Sequence, residues 1–512
     1  MQRLITPIRR SRNGCIDCRK AKVKCDEIRP SCGTCARRKL VCRGYKMQAA
    51  QHSRHSPLSL ADIGGAGKAS VAEGPAPGTL SKYLSIVPTT EAVKAGDASP
   101  TTPSRDESWS TLSLHTRTFS LLPPGIIPVA DQPRIELYFN RHPFELLIGP
   151  EFVGEMNANV VMMMHQDPLV AADTISAIGY SYEVGNESSA LLVVLNRRAK
   201  ILANLRNMKP SSYYFEEALF MLLGLCAMEV SLPGHHATIP AVLSNVASLI
   251  AHHVSTGGEV SSVAKYYLRA LARQDLIVSL VHLHRVRIPS HVWIEDKLGN
   301  PDRLLGCTAG LMPLLEELCA LAEEVRDRSS RKSSPEDKSY VSAGTDNWLD
   351  SWHSDLTLRA ESIRKRLDSW KPTISDKFSF RSSRKFRAQA ASYRAGALLY
   401  LHRLFQPPCS SLEADSEALS KAHEVMLYTS GPATESKMLL WPVFMAACEM
   451  SDADDRAAAV EAFDAISSHR KTVTVERTKK FVKERVWKAR DEGRSWNWMI
   501  LAAVFPGECL PI

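Results

Sequence analysis

Six cysteines fall within the 28 residues from Cys15 to Cys42, CIDCRKAKVKCDEIRPSCGTCARRKLVC, and the 470 residues after them carry only six more. They stand at 15, 18, 25, 32, 35 and 42, a spacing of C-x2-C-x6-C-x6-C-x2-C-x6-C. Thiols this dense oxidise or bind metal. A disulfide framework expects a secreted chain, and the opening MQRLITPIRR lacks the apolar run of a signal peptide. A structural zinc wants four tetrahedral ligands, so six thiolates serve two zincs only if two sulfurs bridge both metals. Ribbon and RING-type sites use four or eight ligands and do not fit. The stretch is an approximate two-fold repeat, each half C-x2-C-x6-C, which suits one half on each metal.

Residue by residue, positions 14 to 43 resemble the fungal zinc binuclear cluster family, Zn2Cys6, including the intervening Arg19, Lys20, Lys22, Lys24, Asp26 and Pro30. The resemblance implies two structural Zn2+ ions held by Cys15, Cys18, Cys25, Cys32, Cys35 and Cys42. Cys15 and Cys32 would bridge, Cys18 and Cys25 complete one zinc, and Cys35 and Cys42 the other. With every sulfur used in closing the coordination spheres, no position is left for a reactive water.

Charge says what such a module is for. Residues 1 to 46 hold 14 Lys and Arg against three acidic residues, a net +11, while the whole chain is only +9. A basic excess confined to one small scaffold is the footprint of a nucleic-acid surface, more than of a merely solvated charge run. The resemblance implies a short helix, about Cys18 to Lys24, whose C-terminal end enters the major groove and reads a CGG-type triplet. Lys22 then occupies the base-reading position, donating to guanine O6 and N7. Arg19, Lys20 and Lys24 are expected on phosphates. Ala21 departs from the many members with a basic residue there, and Pro30 matches the turn proline between the halves. Arg37, Arg38 and Lys39 add DNA-facing charge, and together with Arg9, Arg10 and Arg12 they also suit nuclear import.

From about 47 to 130 the sequence is rich in Ser, Gly, Pro, Ala and Thr, as in SPLSLADIGGAGKASVAEGPAPGT, and reads as a disordered linker. Many Zn2Cys6 regulators place a coiled coil directly after the last cysteine. Here RGYKMQAAQHSRHSPLS offers no apolar heptad pattern. Monomeric DNA binding, or self-association through the C-terminal domain, is expected instead. The segment SWSTLSLHTRTFSLLPPGIIP reads either as a docking strap or as a loosely packed tail.

Beyond 131 nearly every segment repeats apolar residues at three- and four-residue steps, with Gly or Pro breaks. DQPRIELYFNRH, SSALLVVLNRRAKILANLRNM, YYFEEALFMLLGLCAMEV and IPAVLSNVASLIAHHV are examples, and alternating strand-type runs are nearly absent. The fold class is therefore a small Zn2Cys6 binuclear zinc module (1–46) and a large all-α multi-helix domain (131–512), joined by the linker (47–130). VAKYYLRALARQDLIVSLVHLHRVRIP, DRLLGCTAGLMPLLEELCALAEE, SYRAGALLYLHRLF and LLWPVFMAACEM resemble the fungal-specific transcription factor domain that follows many such fingers, over about 131 to 510. Arg273, Gln274 and Asp275 are expected to cap or bridge helices more than to hold a ligand. Trp441, Pro442 and Phe444 are expected to anchor a helix in the core. RDRSSRKSSPEDKSYVSAGTDNW reads as a surface loop. The ending VERTKKFVKERVWKARDEGRSWNWMI reads as a helix with Val482, Val486 and Trp487 inward and a solvated basic face.

No HExxH, G-x-S-x-G, Walker A or Rossmann glycine pattern is present, so nothing argues for an enzyme. The clustered His235-His236, His252-His253 and His282/His284 have no carboxylate at ligand spacing, and Cys226, Cys319 and Cys448 read as buried core thiols. No apolar run is long enough to span a bilayer, so an intracellular soluble protein without a membrane partner is expected. The expectation is a nuclear, zinc-dependent, sequence-specific DNA-binding regulator of RNA polymerase II genes. Its partners would be double-stranded DNA with CGG-type sites, the transcription machinery and, through the helical domain, a second copy of itself. The alternative is a protein-interaction scaffold that uses the zinc module for docking.

Overall fold

The computed structural model divides into two compact units, Met1–Ser104 and Arg105–Ile512. It describes residues 18, 20, 21, 23, 25, 32–38 and 42 of the first, and 127–184, 188–208, 214–232, 238–294, 301–332, 346–375, 377–430 and 437–512 of the second. The expected linker lies outside the described residues apart from 127–130. There Ile127 is already buried and a 3-10 turn, Val129–Asp131, leads into the first long helix.

The first unit contains one short described helix, α1 (Gly33–Arg37). The second is all-helical among the described residues, with a single isolated bridge, Asp302 to Gly306, as its only β pairing. Its helices are α2 (Gln132–Leu146), α3 (Val153–Gln166), α4 (Pro168–Ser181), α5 (Ser188–Asn207), α6 (Phe215–Ser231), α7 (Ile239–Ser255) and α8 (Ser262–His282). After the short α9 (Ser290–Trp293) come α10 (Met312–Lys332), α11 (Asp346–Ser369), α12 (Phe380–Phe405) and α13 (Leu412–Thr429). The chain ends with α14 (Leu440–Ala447), α15 (Ala453–His469), α16 (Val473–Phe481), a π-helical turn Val482–Trp487, α17 (Lys488–Asp491) and α18 (Trp498–Val504).

Local chemistry explains the boundaries. Pro168 opens α4 and Asp167 caps it, its Oδ1 accepting from Val170 N at 3.1 Å. Ser261 and Ser411 cap α8 and α13 by accepting from Ala264 N and Ala414 N. Asp452 caps α15 through two backbone amides, Asp454 and Asp455. Helix α8 stops where Leu283 takes a left-handed conformation, φ 50°.

Helices α4, α6, α8 and α14 form the centre of a continuous apolar core. Helix α4 is made of small and branched residues and touches α2, α5 and α6 at once. That closeness has identifiable causes. A Cβ on Gly179 of α4 would stand 2.1 Å from the carbonyl oxygen of Arg134, and one on Gly224 of α6 would stand 2.2 Å from Thr174 Cγ2. Only a hydrogen side chain permits these approaches.

Two expectations need correction. The Ser/Lys-rich stretch 326–348 is not one loop: α10 continues to Lys332 and α11 starts at Asp346, with the residues between outside the described set. Residues such as Arg326 hold the last turns of α10 in place by donating to the carbonyls of the α8 C-terminus, Leu283 at 2.8 Å. The ending 475–500 is not one helix either: α16, the π turn and α17 are followed by Gly493 at φ 67°. Val482, Val486 and Trp487 are nevertheless buried as expected, and Trp487 Nε1 donates to Ala447 O at 2.8 Å. No helix among the described residues is long and apolar enough to cross a membrane.

Candidate metal centre and nucleic-acid surface

The first unit is organised by sulfur. Cys18, Cys25, Cys32 and Cys35 are buried against one another, with Val23 and Cys42 packed around them. Cys18 Sγ lies 3.5 Å from Cys32 Sγ and 3.8 Å from Cys35 Sγ. These separations are too long for disulfides. Two thiolates on one tetrahedral zinc, each about 2.3 Å from the metal, stand about 3.8 Å apart. The donor set therefore fits zinc in kind and in spacing. The three sulfurs of Cys18, Cys32 and Cys35 converge within 4.8 Å of one another.

Backbone amides complete the arrangement. Cys32 caps α1, its Sγ accepting from Cys35 N at 3.3 Å, and Cys32 N donates to Cys42 Sγ at 3.4 Å. The cysteines at 18, 25, 32, 35 and 42 are thus brought together, while Cys15 lies outside the described residues.

Of the basic candidates, Lys20, Arg37 and Arg38 are described and all three are exposed. Arg37 and Arg38 close α1, where cations are favoured by the helix dipole. Arg19, Lys22, Lys24 and Lys39 lie outside the described residues. The expected reading helix is shorter than Cys18 to Lys24. Cys18 and Lys20 are helical, but Ala21 is already in a turn and Val23 is beyond it, its amide donating to Cys18 O at 3.0 Å.

In the second unit Asp275 and the group Trp441, Pro442 and Phe444 fall into structural roles. Asp275 is fully buried and accepts from Arg287 N at 2.5 Å, Ile288 N at 2.9 Å and Arg287 Nη1 at 3.1 Å, tying α8 to the segment that follows it. Burial pushes its carboxyl up against the pull of these donors. Pro442 lies in the first turn of α14, and Trp441 and Phe444 are fully buried. Phe444 meets Trp498 edge-on at 5.2 Å, and Trp441 meets Tyr393 at 5.5 Å. The Glu449 that ends this motif pairs with Arg403 of α12, Oε1 to Nε at 3.0 Å and Oε2 to Nη2 at 2.5 Å, while Arg403 Nη1 reaches Asp415 at 2.7 Å.

Cys226, Cys319 and Cys448 are buried thiols whose pKa values burial raises. His253 is stacked on Phe215 at 3.8 Å, and His282 on His284 at 6.3 Å; His235 and His236 lie outside the described residues. What sequence reasoning missed is a cavity lined by Arg273, Arg303 and Arg470. Isolated arginines between helices carry no spacing signal that could have singled out the last two.

Residues 13–51 match the family model of the fungal Zn(2)-Cys(6) binuclear cluster domain, and residues 182–504 match that of the fungal specific transcription factor domain. White-opaque regulator 2 of Candida albicans is 43% identical over 58 residues, 10% of this chain and 13% of that protein. Sterol uptake control protein 2 of the same organism is 61% identical over 36 residues, 7% of this chain and 5% of that protein. The aspercryptin biosynthesis cluster-specific transcription regulator atnN of Emericella nidulans is 48% identical over 48 residues, 9% of this chain and 8% of that protein. The aligned part therefore spans 13% or less of the length of these relatives. No solved structure matches the chain.

Proposed function

Because this chain belongs to the family of the fungal specific transcription factor domain, we propose that it is a zinc-dependent, sequence-specific DNA-binding regulator of genes transcribed by RNA polymerase II, acting in the nucleus. The observation that carries the reading is the convergence of Cys18, Cys32 and Cys35, sulfur to sulfur at 3.5 and 3.8 Å, inside the segment 13–51 that matches the binuclear cluster domain; residues 1 to 46, which include most of that segment, hold a net +11 charge.

In this reading Cys15, Cys18, Cys25, Cys32, Cys35 and Cys42 hold two zincs, with Cys15 and Cys32 bridging. The metal supplies the fold of a module too small to build an apolar core. The chain's own residues do the recognition. Lys22 donates to guanine in a CGG-type triplet, and Arg19, Lys20, Lys24, Arg37, Arg38 and Lys39 meet phosphates, so that binding weakens steeply with salt. The helical unit regulates this activity rather than performing a reaction.

The test is selection from random double-stranded DNA by the full-length, zinc-loaded protein. One enriched CGG-type triplet means a monomeric reader; two at fixed spacing mean a dimer. No enrichment, with weak binding that vanishes as salt rises, moves the docking-scaffold alternative ahead. Lys22→Ala should lose about 1–3 kcal/mol of discrimination between cognate and scrambled sites. Arg38→Ala should weaken both alike and lower the salt slope by about one. Equal losses on both DNAs for Lys22→Ala would remove it from the base-reading role.

A further inference from the structure

Between α2, α4, α6, α8 and the residue that follows α15 lies a cavity of about 80 Å³. Three arginines line it with no aspartate or glutamate, and the buried last residue, Ile512, is also in its wall. Arg470 is 1% exposed, and among the described residues its Nε and Nη1 have no hydrogen-bond partner and it forms no ion pair. Arg303 is also buried: its Nη2 donates to Tyr266 O at 2.8 Å and its guanidinium lies 3.3 Å over the Tyr266 ring, but Nη1 has no partner. Arg273, buried as well, has one long contact, Nη2 to Tyr393 Oη at 3.4 Å.

Glu145 does not neutralise this group. Glu145 acts on Arg470 through space, yet its Oε1 is taken by Arg141 and its buried Oε2 makes no hydrogen bond. His142 in the wall accepts or donates only to Tyr182 Oη, at 2.6 Å, and burial keeps its ring uncharged. Burial and the neighbouring Arg273 pull the Arg470 guanidinium down to about 9. Buried cations without a counter-charge are strongly unfavourable, and removing one side of a buried pair is what creates such a state. The remaining wall is apolar, with Phe220, Leu223 and Met438 among its residues.

We propose that this cavity is the binding site of a small organic carboxylate, its charged end received by Arg470, Arg273 and Arg303 and its hydrocarbon body by the apolar wall. The volume holds about six water-sized groups, which limits the ligand to a short-chain acid. Planar, multiply donating guanidinium groups match a carboxylate in geometry as well as charge. The proposal rests on the regulatory reading of the helical unit, in which the ligand is an effector.

The experiment follows the melting of the full-length, zinc-loaded protein in propanoate, butanoate or inorganic phosphate, with chloride at matched ionic strength. At least one carboxylate should raise the melting temperature by a few degrees while phosphate does not. In Arg470→Met that shift should vanish, and Arg273→Gln should weaken the apparent affinity roughly tenfold. Without any carboxylate, Arg470→Met should melt no lower than the parent, because it removes an uncompensated buried charge. A residue kept for structure would instead lower it. The proposal is overturned by the absence of a shift with both acids, by an equal shift with phosphate, by an undiminished shift in both variants, or by an Arg470→Met protein that is destabilised or fails to fold. DNA selection is read separately. A missing shift beside intact triplet enrichment overturns the cavity alone, and a clear shift without enrichment overturns the DNA reading alone.

Discussion

Gly179 shows how much a single hydrogen atom can carry. With a methyl group there, α4 meets the Arg134 carbonyl at 2.1 Å, so α2 and α4 must separate. Gly179→Ala should destabilise the helical unit by about 1–3 kcal/mol, read from urea unfolding. Gly154, near the start of α3, has nothing within 4 Å of its position, and Gly154→Ala should stabilise by up to about 1 kcal/mol. The two residues look alike in the sequence, where neither neighbour is visible. His142 is a second case. Burial first, and then Arg470 and Arg141, lower its pKa from 6.5 to about 3 in the folded protein. The unfolded chain therefore takes up this proton before the folded one does. Its contribution to stability is complete above pH 6.5 and is lost as pH falls toward 3, at about 1.4 kcal/mol per pH unit. His142→Gln should flatten the dependence of stability on pH across that window.

At the scale of elements, the apolar periodicity of the helices was readable because each one buries a stripe and caps itself locally. What joins them was not. Arg403 and Glu449 are 46 residues apart and both fully buried, with Asp415 as a third member. Glu449→Ala should cost about 3–5 kcal/mol, because Arg403 is left with Asp415 as its only carboxylate. The double variant Arg403→Met/Glu449→Leu should recover most of that loss in a double-mutant cycle. Gly396 allows the same pair of helices to close, its missing Cβ lying 3.2 Å from Trp441 Cζ3. The π turn at Val482–Trp487 likewise had no sequence mark. It lies within an unbroken helical run from Val473 to Asp491 in which Val482, Val486 and Trp487 face inward, which is why the inward residues were identified correctly although the helix stops before Gly493.

For the whole molecule, the metal-centre cysteines were legible at once because ligand spacing is written along the chain. The cavity arginines were not, because they come from α8, from a loop and from the end of α15, brought together only by folding. The two kinds of stability should separate under chelation. EDTA is expected to abolish retention on DNA by the full-length protein while leaving most of the far-ultraviolet helical signal, since the large apolar core is built from residues of the second unit and its sulfurs do not converge on a metal-sized site among the described residues. Those same sulfurs carry a practical consequence. Cys226, Cys319, Cys448 and Cys509 are sealed in the core and Cys307 is largely covered, whereas Cys409 is exposed. An alkylating reagent applied to the native, metal-loaded protein meets one accessible thiol outside the zinc module, so the number of further labels taken up, counted by mass spectrometry, becomes a direct gauge of how much of a preparation carries its metal.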